Sequence, residues 1–231
     1  LYLLWDLGLK VGHATRTSDQ CLEAANDDIT IMTTLLEIRY IEGDKKLFEN
    51  FEKHLRSWIS EKPVSYFVTE KLRERDSRHK LHGATRYMVE PQIKEGKGGL
   101  RDLHTLFWIA KFAYKVRSVE EVIELGVLRV SEAKNFAASQ RFLCTVRCFL
   151  HLRSKREDDR LTFDAQIDIA PIMGFSGRGG MRGVERFMKR YFLAARQVGT
   201  LTRIFCSAIE SDFENKGIFS LGRILNFVSF Y

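Results

Sequence analysis

Between Glu90 and His104 the chain reads EPQIKEGKGGLRDLH, two lysines and three glycines set just ahead of a helical pattern that begins at Leu100. Gly96, Gly98 and Gly99 permit backbone conformations closed to other residues and let the main chain approach a ligand closely. A helix starting at Leu100 aims free N–H groups and a positive dipole end at the same place. Lys94 and Lys97 add charge from within the loop, and Arg101 occupies the first helical turn, where a cation is unfavourable unless an anion offsets it. The chemistry open to such a set is anion binding, phosphate above all. It is neither a Walker loop nor a dinucleotide fingerprint. A second reading stays open, a structural turn whose Arg101 pairs internally with Glu90 or Asp102.

Other residues with chemical capacity are more scattered. Asp6 interrupts the apolar run LYLLWDLGLK, and a buried acid there needs a cation or a donor. His13 and Arg16 follow it and could reach a phosphate, although a histidine beside a turn more often serves as an ordinary hydrogen-bonding residue. His79, His82 and His104 have no metal-ligand spacing. Glu90, ahead of Pro91, reads as an anchor for the loop in preference to a metal or ribose ligand.

The elements that must position these groups are mostly helices. Thr17 or Ser18 caps a helix ending near Asn26, and Asp28 starts another running to Arg39. Gly43 and Asp44 break the pattern before Lys45 to Ile59, and Pro63 opens a helix to about Lys80. From Leu81 to Gly99 no helical period persists, and Tyr87, Val89 and Ile93 point to a short extended piece around Pro91. Helices resume over Leu100 to Arg117, Val119 to Leu125, Glu132 to Lys155 and about Leu161 to Met173. The loop SGRGG then leads into a basic helix. Only Leu3 to Lys10 alternates with a period of two, which predicts a single strand carrying Asp6.

The 231 residues, 45% of them hydrophobic, suffice for a real core, and the aromatic content argues against disorder. No apolar run approaches the roughly 20 residues that a bilayer crossing needs. Leu1 to Leu9 lacks the flank of a signal peptide, so a cytoplasmic protein with no membrane partner is expected. Cys21, Cys144, Cys148 and Cys206 read as reduced core thiols. Of the net charge of +7, the segment from Arg178 to Arg203 holds seven basic residues against Glu185 alone, all on the face opposite the apolar stripe Phe187, Met188, Tyr191, Ala195 and Val198. That face is a solvated surface or one for an acidic partner or phosphates. Nucleic acid is not expected, because the aromatic residues follow the buried stripes and do not interleave with the basic ones.

The stretch EPQIKEGKGGLRDLHTLFWIAK resembles the hallmark segment of the bacterial PII uridylyltransferase/uridylyl-removing enzymes, and LYLLWDLGLKVGHATRT resembles the end of their nucleotidyltransferase domain. DITIMTTLLEIRYIEGDKKLF, DRLTFDAQIDIAPIMGF and VERFMKRYF agree, in the right order over almost all of residues 1–215. Gln92 and Lys97 depart from the commoner Asn and Pro without removing a charge. The related glutamine-synthetase adenylyltransferases carry a similar segment. The resemblance implies residues 1–16 as the C-terminal edge of a polymerase-beta-type nucleotidyltransferase domain, 17–215 as a helical domain, and 216–231 as a severed linker. It implies Asp6 as the third Mg²⁺-binding carboxylate of a set whose other two come from a Gly-Ser…Asp-x-Asp motif, which this sequence lacks. Lys94, Lys97, Gly98, Gly99 and Arg101 would bind the nucleotide. The implied reaction moves UMP from UTP to a tyrosine of the PII nitrogen-regulatory protein, and the chain alone is expected to be inactive. An adenylyltransferase acting on glutamine synthetase and a non-catalytic docking domain are the alternatives.

Overall fold

The computed structural model describes residues 2–83 and 85–214, and the protein is mainly helical throughout them. The chain divides into two compact units between Lys62 and Pro63. The predicted linker over 216–231 lies outside the described residues.

The first unit carries α1 (Tyr2–Asp6), α2 (Ser18–Asp27), α3 (Ile29–Leu35) and α4 (Lys45–Glu61). Its helix starts follow the capping residues. Thr17 accepts from the Gln20 N–H while the Gln20 side chain accepts from the Thr17 N–H, a reciprocal box, and Asp28 and Asp44 cap α3 and α4. Leu22, Ala25, Met32, Leu55 and Ile59 form the buried side. Helix α3 stops four residues short of the expected Arg39. Its run of Ile and Thr residues is β-branched, and the amides of Leu36 and Glu37 turn back to Thr33 and Thr34 in tighter i→i−3 bonds.

The strand expected over Leu3 to Lys10 is not formed. Tyr2–Asp6 is a five-residue helix with no buried residue, and the amides of Leu7 and Leu9 bond locally to Leu3 O and Leu4 O. A strand needs a neighbouring ladder, and among the described residues the only β pairing is two isolated bridges, Gln92 with Arg160 and Arg178 with Met181. Alternation alone, with no partner, gives way to the backbone bonds the segment can make by itself.

The second unit carries α5 (Val64–His82), α6 (Leu100–Tyr114), α7 (Val119–Glu124), α8 (Val130–Ser154), α9 (Phe163–Ile172) and α10 (Gly183–Glu214). Helix α10 packs against α6, α8 and α9 through Phe187, Tyr191, Ala195, Val198 and Phe205, the stripe anticipated by its periodicity. Helix α6 lies on α5, where Phe67 and Phe112 stack with centroids 4.1 Å apart and planes 5° from parallel. The extended piece around Pro91 is present as the Gln92–Arg160 bridge, reinforced by Leu161 N–H bonding to Pro91 O at 2.9 Å and Ile93 N–H to Asp159 O at 2.8 Å. All four cysteines are free thiols. Cys206 is buried as expected, but Cys21 is only half-buried and Cys144 and Cys148 are exposed on α8.

Candidate phosphate site

The loop from Glu90 to Gly99 is held from three sides before any ligand is considered. Glu90 Oε1 accepts from the Phe163 N–H at 2.9 Å and its other oxygen from Arg160 at 3.1 Å, so this acid anchors the loop to the start of α9. Ile93 is fully buried. The Gln92 side-chain oxygen accepts from the amides of Lys94 and Glu95, both at 3.0 Å.

All three loop glycines are required by close packing, an added Cβ at Gly96 meeting Gln92 O at 2.5 Å. Gly98 has φ +80° and lies so near α10 that an added Cβ would meet Ala195 O at 2.7 Å. At Gly99 an added Cβ would meet the carbonyl oxygens of Ile93, Gly96 and Lys94 at 2.6–2.9 Å. The free amides expected at the start of α6 are taken up within the chain. Leu100 N–H bonds to Ile93 O at 3.0 Å, Arg101 N–H to Lys94 O at 2.9 Å and Asp102 N–H to Gly99 O at 3.2 Å. The Gly98 amide donates to Asp102 Oδ2 at 2.8 Å. What the loop presents outward is therefore side chains, not a backbone cradle.

Asp102, 5% exposed, is the centre of a buried ionic cluster. Its carboxylate also accepts from Arg78 and from His79 Nε2, the latter at 2.9 Å to both oxygens. Burial pushes the Asp102 carboxyl up, but the His79 hydrogen bond, the charges of His79 and Arg78 and the Gly98 amide together hold it below the usual carboxylate range. Neither pairing weighed for Arg101 forms. Its guanidinium reaches Glu95 at 3.2 and 3.4 Å and lies 5.6 Å above the Trp108 ring.

Helix α5 contributes what the linear pattern hid. Lys71, Arg75, Arg78 and His79 are all buried, on the face turned to α6. Lys71 pairs with Glu74 and sits 4.8 Å above the Trp108 ring, and burial lowers the pKa of its ammonium. Arg75 pairs with Asp76 at 2.8 Å. Arg78 is held by Asp102, yet its Nε and Nη1 make no hydrogen bond although its side chain is only 9% exposed. A buried unmet donor costs about 1–3 kcal/mol. Around Glu95 stand Arg101 at 3.2 Å, Arg78 at 3.5 Å and Lys94 at 3.6 Å. Burial raises the Glu95 pKa, but these three cations outweigh it and keep the carboxyl below its ordinary value. At Lys97, burial followed by the charges of Arg86 and Arg75 lowers the pKa of the ammonium.

The structure thus brings Lys94, Lys97, Gly98, Gly99 and Arg101 into one loop-and-helix corner, where Lys94 and Arg101 meet at Glu95. Asp6 belongs to the other unit, exposed on α1. Among the described residues no group of three His, Cys, Asp or Glu side chains could hold a metal ion, and no helix is long and apolar enough to cross a membrane.

Residues 66–206 match the family model described as GlnD PII-uridylyltransferase. A bifunctional uridylyltransferase/uridylyl-removing enzyme of Rhodospirillum rubrum is 49% identical over 225 residues, covering 97% of this chain and 24% of that protein. Enzymes of the same name from Azospirillum brasilense and Rhodopseudomonas palustris are each 48% identical over 97% of the chain. The chain spans about a quarter of the length of these relatives, 24% in each case. No solved structure matches it.

Proposed function

The chain belongs to the PII-uridylyltransferase family, and from that premise we infer that it is the helical part of a cytoplasmic enzyme moving UMP from UTP to a tyrosine of the PII signalling protein. The tyrosyl oxygen bonds to the α-phosphorus, the bond from that phosphorus to the β-phosphate oxygen breaks, pyrophosphate leaves and the phenol gives up its proton. Such transfer depends on positioning and charge neutralisation. One observation carries the reading: a rigid loop, fastened to α6, α9 and α10, presents Lys94 and Arg101 half-exposed beside the buried Arg78. These side chains would orient the phosphates, with Lys97 adding charge, while the close packing at Gly98 and Gly99 fixes the loop that carries them.

Mg²⁺ is the ion this chemistry calls for, and Asp6 would offer it one carboxylate as part of the catalytic edge at residues 1–16. The described residues do not by themselves complete a metal site. A second reading, a docking domain without nucleotide contact, is favoured by the internal use of the first α6 amides.

The test is a chimera in which this chain replaces the matching quarter of the R. rubrum relative. Arg101→Ala should weaken UTP affinity or turnover about ten- to a hundredfold, as loss of a charge-assisted contact does, with little change in melting temperature. Asp6→Asn should lower transfer about a hundredfold or more while the protein stays folded. Unchanged UTP affinity and turnover in a folded Arg101→Ala chimera would leave the docking reading standing.

A further inference from the structure

We propose that the Glu95 carboxylate holds the place of a substrate phosphate group, and that Arg78 joins Lys94 and Arg101 in the set that binds it. This rests on the phosphate reading above and extends it to a residue on α5 and to the group now seated among the cations. Three cations converge on one carboxylate, at 3.2, 3.5 and 3.6 Å. The fit is poor at Arg78. Its Nε lies 3.5 Å from Glu95 Oε2 and its Nη1 3.9 Å from Glu74 Oε1, and neither nitrogen makes a hydrogen bond although the side chain is only 9% exposed. A carboxylate offers two oxygens and one charge. A terminal phosphate offers three oxygens and up to two charges in a tetrahedral array, enough to meet Arg101 and Lys94 and still reach the unmet nitrogens of Arg78.

The site can open without refolding. The Glu95 amide is fixed by the Gln92 side chain at 3.0 Å, so the backbone stays in place, and the Glu95 side chain, 18% exposed, has only to rotate outward. Arg101 would remain over Trp108, and Arg78 would remain tied to Asp102, so the receiving cations are already oriented. Glu95 then acts as an internal competitor that keeps three like charges compatible until a phosphate arrives. The ligand class is a polyphosphate, either the tail of a nucleoside triphosphate or free pyrophosphate.

Titration calorimetry on the 231-residue chain in phosphate-free, low-salt buffer tests this, with inorganic pyrophosphate and UTP as probes. Glu95→Gln should lower the pyrophosphate Kd about tenfold, because removing the competing charge leaves the cations in place. Adding Arg101→Gln to that variant should cancel the gain. Tighter binding of UTP than of pyrophosphate assigns the site to the nucleotide tail, and equal affinities assign it to pyrophosphate; either result supports the proposal. Should Glu95→Gln fail to fold by circular dichroism, Glu95→Asp, whose carboxylate is withdrawn by one methylene, should shift the Kd the same way. A folded variant with an unchanged or higher Kd overturns the role of Glu95 while leaving phosphate binding intact. No heat from either probe in any variant overturns the phosphate reading itself.

Discussion

Asp102 is the residue on which the loop depends most, since it joins Gly98, Arg78 and His79 in one buried cluster. Asp102→Asn keeps the shape and removes the charge, leaving Arg78 and His79 without their anion. Breaking a buried pair in this way should cost about 3 kcal/mol or more in urea unfolding at neutral pH. The pH dependence has a definite sign. The folded carboxyl titrates below its ordinary value, so its stabilisation is complete above the unfolded pKa of about 3.9 and disappears as pH falls through the folded value. The gap between wild type and Asp102→Asn should therefore be widest above about pH 4 and close in stronger acid; a gap that stays constant across that range would show the carboxylate charge to be idle. The glycines, the lysines and Arg101 were legible in the linear sequence because loop chemistry is local. The cluster was not. Lys71, Arg75 and Arg78 carry no local signal of burial, and the acids Glu95 and Asp102 that face Arg78 lie outside α5, in the loop and in α6, so only the packing of α5 on α6 reveals them.

At the scale of elements, the apolar stripes and caps were readable and the isolated strand was not. Helix α10 shows its buried face in sequence because Phe187, Tyr191, Ala195, Val198 and Phe205 repeat at three, four and seven, and periodicity of that length has one solution. Helix α5 behaves differently. Past Leu72 its buried face is polar, so its attachment to α6 relies on a short apolar contact at Phe67, Val68 and Leu72. Phe112, fully buried and stacked on Phe67, should accordingly be a sensitive position: Phe112→Ala is expected to cost about 3–5 kcal/mol in urea unfolding. Phe107→Ala, five residues earlier on α6 and only half-buried, should cost clearly less, and equal losses would mean that the α5–α6 stack is not the main apolar contact there.

Across the whole second unit, the Gly98 contact with Ala195 has a kinetic consequence. Three glycines in four residues ordinarily suggest a pliable hinge whose amide hydrogens trade with solvent in moments. Here the Gly98 hydrogen is held by a buried carboxylate that Arg78 and His79 also grip, and its Cα rests against α10, so α5, α6 and α10 would all have to part before that hydrogen meets water. Deuterium uptake at Gly98 should therefore run as slowly as at Leu103 in the interior of α6, and both should quicken together in Asp102→Asn. Rapid labelling of Gly98 in the wild-type chain would show that the corner breathes on its own. Slow labelling would make this glycine amide a clock for the separation of three helices.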